Sequence, residues 1–121
     1  MKNYLILVIV LFALSCKEKV NPSSTCNVGN PTEDLAWLKA EIDRREKSQS
    51  DLKVYFFIEQ GEHNNQTVFL YNNCCPMCST VGAVYDCSGT KLFDLGPGVD
   101  ISDIKNLKVI WKPEGCLCQS T

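Results

Sequence analysis

Eight cysteines fall within 121 residues, and the stretch YNNCCPMCST crowds three of them, Cys74, Cys75 and Cys78, into five positions. No other feature limits the fold as strongly, because thiols at this density are crosslinked, metal-bound or redox-active. Which of these applies depends on the compartment, and the compartment is read from the N-terminus.

Met1-Lys2-Asn3 gives a short basic start, Tyr4 to Leu14 is an unbroken apolar run, and Ser15-Cys16 ends it. A membrane-spanning helix needs about 20 apolar residues. This shorter run fits the h-region of a secretory signal peptide covering residues 1–15. The segment Ala13-Leu14-Ser15-Cys16 resembles the lipobox of bacterial lipoproteins, whose cysteine is lipidated and becomes the new N-terminus. That resemblance implies acyl chains such as palmitate on Cys16 and anchoring to the outer membrane, on its periplasmic or surface face. Two acyl chains are enough for stable attachment. The alternative is an ordinary signal peptide or a tail-less N-terminal anchor. Residues 16–29, with Asn21-Pro22-Ser23-Ser24-Thr25, are polar and turn-rich and read as a flexible tether. Cleavage before Cys16 removes Lys2 and leaves 11 basic against 14 acidic residues, a net charge of −3. Bulk charge therefore argues against nucleic acid or anionic lipid as partners, and the membrane is met through the lipid.

Residues 30–121 are long enough for a single domain with a modest core. Asn30-Pro31-Thr32-Glu33 has the form of a capping box with proline at the first helical position. Leu35, Leu38 and Ile42 follow at helical spacing, Ala36 and Trp37 widen the stripe, and Arg44, Arg45 and Lys47 suit the negative end of the helix dipole. One helix over 31–47 is predicted. Trp37 could stack on a ligand, but an aromatic beside an apolar stripe is more often core. From Leu52 the period becomes two: Leu52, Val54, Phe56 and Ile58 alternate with Lys53, Tyr55, Phe57 and Glu59, which predicts a strand with an apolar inner face. Gln60 to Asn65 reads as a turn and Gln66 to Tyr71 as the return strand. Val81–Tyr85 and Thr90–Leu95 form a second hairpin through Asp86-Cys87-Ser88-Gly89. Gly96-Pro97-Gly98 breaks the chain, residues 101–104 suit one helical turn, and 108–111 is a last strand. The fold class is α+β, one N-terminal helix packed in two layers on a meandering antiparallel sheet and rich in disulfides.

The segments NPTEDLAWLKAEID, QTVFLYNNCC and VYDCSGTKL resemble a family of small bacterial lipoproteins of unknown function with an Asp-Leu-x-Trp-Leu-Lys helix and a Cys-Cys pair. The likeness covers residues 30–95, and its most specific parts are that helix and that pair. A Cys-x-x-Cys after the pair is not part of the family pattern. The resemblance implies a secreted, anchored α+β domain and no particular activity.

Beyond Cys16, the disulfide candidates are Cys26, Cys74, Cys75, Cys78, Cys87, Cys116 and Cys118. An oxidising compartment favours crosslinking of a small core. Neighbouring residues on an extended segment face opposite ways, so Cys74 and Cys75 should find separate partners among Cys26, Cys87 and the Cys116-Leu117-Cys118 tail. Three bonds among seven cysteines allow on the order of a hundred connectivities, and one thiol is left over.

Two other chemistries compete with crosslinking. Cys75 and Cys78 have thiol-disulfide oxidoreductase spacing, but such a site wants a helix after the first cysteine, and Val81 onward looks like strand. Cys75, Cys78, Cys116 and Cys118 are enough for a structural zinc site, although the second pair is a residue short of the usual spacing. His63 is the sole histidine and sits in a polar turn where exposure is expected. Asp86 to Lys91 resembles a phosphate loop only superficially, since Asp-x-x-Gly between strands is ordinary turn chemistry. The sequence thus predicts an anchored binding or structural module without a cofactor. An aromatic-rich sheet would suit a protein or peptide partner, and an enzyme is the weaker reading.

Overall fold

The computed structural model describes residues 26–78 and 81–119. The segment expected to be a signal peptide, Cys16 and most of the segment expected to be a tether lie outside the described residues. Two helices, α1 (Pro31–Asp34) and α2 (Ala36–Glu46), precede strands β1 (Phe56–His63), β2 (Gln66–Asn73), β3 (Ala83–Tyr85), β4 (Lys91–Asp94) and β5 (Lys105–Trp111). All neighbours in the sheet are antiparallel, in the order β4-β3-β2-β1-β5. The first four strands meander, and the chain then returns along the sheet to place β5 beside β1. The α+β class is as the sequence predicts. Among the described residues, no helix is long and apolar enough to cross a membrane.

The single helix expected over 31–47 is broken at Leu35, whose backbone is extended (φ −89°, ψ 105°). The capping box does not form. The Asn30 amide donates to Asp34 Oδ2 at 2.8 Å, and Glu33 turns outward to pair with Lys39 at 2.8 Å. The break leaves the apolar stripe intact: Leu38 and Ile42 are buried, and Leu35 packs against the same cluster.

The first strand begins later than its alternation suggests. Asp51–Tyr55 is a 3-10 helix, because Ser50 Oγ accepts the Leu52 amide at 3.3 Å and starts a turn there. Leu52 is 48% exposed and not on an inner face. The strand instead runs on through Gly61, and the turn shrinks to Asn64-Asn65, both with positive φ (50° and 61°), as a tight two-residue hairpin turn requires. Gly61 is needed for this extension. A Cβ there would lie 2.7 Å from Ile104 Cγ2, 2.9 Å from Leu107 Cδ2 and 2.9 Å from the Lys105 carbonyl oxygen. Gly61→Ala is therefore expected to cost about 1–3 kcal/mol, because the backbone of β5 cannot withdraw as a side chain can. Urea unfolding checks it, and unchanged stability would mean that β5 slides freely against β1.

Both sheet faces are covered, where the sequence predicted two layers with one inner face. On the first face, α2 packs Leu38 and Ile42 onto Ile58 and Phe69. On the second, the return segment lays Ile104, with Leu95 and Leu107, over Val68, Leu70 and Val84. Central strand β2 consequently buries four consecutive residues, Thr67 to Leu70. His63, expected to be exposed, is half-buried on the second face with its ring 4.9 Å from that of Phe93.

Candidate functional site

Six of the seven cysteines beyond Cys16 form disulfides: Cys26–Cys87, Cys74–Cys118 and Cys75–Cys78. Cys116 keeps a half-buried thiol. The neighbours Cys74 and Cys75 thus have separate partners. Three of these sites meet at one corner, where β2 ends and the C-terminal tail returns. The Cys74 amide donates to the Tyr55 carbonyl at 3.0 Å and the Leu117 amide to the Val54 carbonyl at 2.9 Å, so both chain segments dock on the 3-10 helix before β1. These backbone bonds bring Cys74 and Cys118 to a Cα separation of 5.6 Å.

Cys75–Cys78 closes a ring within a surface turn. Asn73 Oδ1 accepts the Cys75 amide at 3.2 Å, and Met77 projects from the turn with 92% exposure. Among the described residues no helix begins at either cysteine, so no row of described helical amides is there to stabilise a thiolate. The zinc reading is corrected: Cys75, Cys78 and Cys118 are all disulfide-bonded, and of the four expected ligands only Cys116 is a thiol. Cys116 and Cys118 share a cleft with Phe57 and Val109 of about 10 Å³, room for roughly one water.

At the other end of the sheet, Cys26–Cys87 fastens the start of the domain to the turn between β3 and β4. Trp37 completes this clasp: its indole N–H donates to the Cys87 carbonyl at 2.9 Å, and its ring lies where a Cβ on Gly89 would come within 2.7 Å. The turn is organised by Asp86, whose Oδ1 accepts from the Ser88 hydroxyl and from the Ser88 and Thr90 amides. The Ser88 hydroxyl above all, with those amides, holds the Asp86 carboxyl below the usual carboxylate range. This is structural turn chemistry, as the sequence indicates. Four of the aromatics, Trp37, Phe69, Tyr71 and Tyr85, pack against one another. The Trp37 ring sits 5.5 Å from Phe69 and 6.3 Å from Tyr85, and Tyr85 lies 4.4 Å from Tyr71.

Sequence reasoning missed one feature, a cleft of about 260 Å³ between the end of α2 and the β1 and β5 strands. Arg44, Arg45, Ser48, Ser50, Lys53, Phe56 and Trp111 line it. Glu41 underpins it, taking a two-pronged pair from Arg44 (2.6 and 2.9 Å) and a bond from Arg45 Nε (2.6 Å). Burial pushes the Glu41 carboxyl up, but the two arginines outweigh it and hold the group below its ordinary value. The only signal in the sequence was Arg44-Arg45 at a helix end, which helix-dipole reasoning had already explained.

Comparison with known proteins finds no matching family model, no matching curated protein and no matching solved structure.

Proposed function

We propose that this chain is an exported, lipid-anchored binding or structural module of the cell envelope, held on the outer membrane through Cys16 and stabilised by disulfides. The observation that carries this reading is the crosslinking pattern. Two of the bonds join residues 61 and 44 positions apart and fasten both ends of the domain to the sheet. Such bonds persist in an oxidising compartment, which is where the apolar run Tyr4 to Leu14 followed by Ser15-Cys16 would deliver the chain. The domain then stands off the membrane on a short polar tether and meets a protein or peptide partner. Cys16→Ala is expected to abolish lipidation and move the protein out of the membrane fraction. Retention in the membrane with processing at the same position would sink the anchoring.

A thiol-disulfide oxidoreductase using Cys75 and Cys78 is the second reading, favoured by one observation: their bond spans only three positions and lies on a surface turn. As a staple it is weak, since closing so short a loop stabilises by about 2 kcal/mol in the chain-entropy picture. Under the module reading, Cys75→Ser/Cys78→Ser costs about that much in urea unfolding and the parent protein reduces no insulin. Insulin reduction lost in the double variant would establish the enzyme instead.

A further inference from the structure

We propose that the cleft at the end of α2 binds a monocarboxylate carried on a flat apolar body, with Arg45 and Lys53 gripping the carboxylate while Phe56 and Trp111 flank the body. This rests on the reading of the chain as a binding module and names what the module takes.

Arg45 is already organised for the task. Its Nε is fixed on Glu41, its guanidinium lies 4.7 Å from the Tyr71 ring centre and 5.7 Å from that of Phe56, and its side chain is 17% exposed. Its two terminal nitrogens make no hydrogen bond to a described residue. A guanidinium edge of this kind matches the two oxygens of a carboxylate. Lys53 supplies a second cation without an ion pair among the described residues. Ser48 and Ser50 add donors: each hydroxyl oxygen accepts a backbone amide, from Ser50 and Leu52 respectively, which leaves its own O–H proton to give. The α2 dipole opposes an anion here. Two of its last four carbonyls are already engaged, however, since those of Asp43 and Arg45 accept the amides of Lys47 and Ser48 at 3.1 Å.

Charge sets the valence of the ligand. Arg44 is spent on Glu41, and Lys53 also borders an adjoining hollow lined by Glu46 and Glu114. Three cations and three carboxylates thus occupy the neighbourhood, so its net charge is zero, and a dianion such as a phosphate monoester is opposed more than a monoanion held directly by Arg45 and Lys53. Size sets the body. At about 260 Å³ the cleft falls just under the roughly 300–1,000 Å³ of pockets for drug-sized ligands, so it holds a small aromatic acid or the last residue of a peptide.

The test is calorimetry on the oxidised full chain in detergent. N-Acetylphenylalanine should bind, and its uncharged amide should bind about tenfold more weakly or worse. Lys53→Gln and Ser50→Ala should each weaken the acid and leave the amide unchanged. Gly-Gly-Phe with a free C-terminus separates the sources: tighter binding than N-acetylphenylalanine assigns the site to peptide C-termini, and equal or weaker binding assigns it to free acids. Equal binding of acid and amide, no binding of either, indifference to Lys53→Gln in a folded variant, or tighter binding of benzyl phosphate would each overturn the proposal. Loss of the carboxylate site in a chain still anchored and oxidised leaves the module reading standing. A Cys16→Ala chain that stays on the membrane and still binds the acid removes the anchoring alone.

Discussion

Replacing Cys26 and Cys87 together with serine is expected to lower the unfolding free energy by about 4 kcal/mol, twice the effect of removing Cys75–Cys78. The difference comes from the unfolded chain. Cys26–Cys87 spans 61 positions, and forbidding so long a loop removes far more conformational freedom than closing a span of three. The folded state also loses a clasp. Cys26 and Asn27 both hold positive φ (54° and 59°), a conformation non-glycine residues adopt at a cost, and the disulfide helps maintain it. Without the bond this segment detaches, and Trp37 is left with one hydrogen bond and ring packing to hold the Cys87 turn. Against a domain stability of about 5–15 kcal/mol, the loss takes a large share. Urea unfolding followed by tryptophan fluorescence, with the other two bonds verified intact by mass spectrometry, measures it. A cost no greater than that of Cys75→Ser/Cys78→Ser would mean that loop length does not set the stabilisation here.

Local pattern made part of this fold legible. Period-two alternation located β1 near Ile58, and the QTVFLY run located β2, because a strand's side chains alternate whatever lies beside it. The misreadings share a cause, which is that a distant residue decided the outcome. Gly61 looked like turn punctuation, and it is strand because Ile104 and Leu107 occupy the space a side chain would fill. The helix broke at Leu35, where Asp34 bonds back to the Asn30 amide and outcompetes the expected capping box. Val68-Phe69-Leu70 was apolar without alternation, the mark of a strand covered on both faces, yet nothing local said that the 95–107 segment would supply the second cover. The cysteine corner was legible as crosslinked and not as connected, since the pairing depends on where the tail docks against Val54 and Tyr55. The cationic cleft was hidden for the same reason. Arg45, Lys53 and Trp111 come from three elements, and only the β1–β5 pairing brings the last of them to the first two.

That dependence on long-range packing converges on Phe69, and Phe69→Ala is expected to cost about 3–5 kcal/mol. The ring is fully buried at the centre of β2, opposite Gln60 of β1 and Tyr85 of β3, and it carries the α2 face of the sheet with Leu38, Ile42 and Ile58. Backbone pairing on both sides prevents the strand from collapsing into the space left behind, so the cavity term adds to the lost transfer energy. Trp37 meets the ring edge-on at an interplanar angle of 78°, a geometry that contributes about 0.5–1.5 kcal/mol beyond area. Truncation should therefore also flatten the near-ultraviolet dichroism of Trp37, because the indole would keep its bond to Cys87 and lose the surface that fixes its tilt. A Trp37→Leu/Phe69→Ala cycle separates the two contributions, and a coupling near zero would show that the aromatic pair is only two independent burials. If Phe69→Ala alone costs less than about 1.5 kcal/mol, α2 has settled onto the sheet, and the disulfides rather than the core determine how rigidly the helix is held.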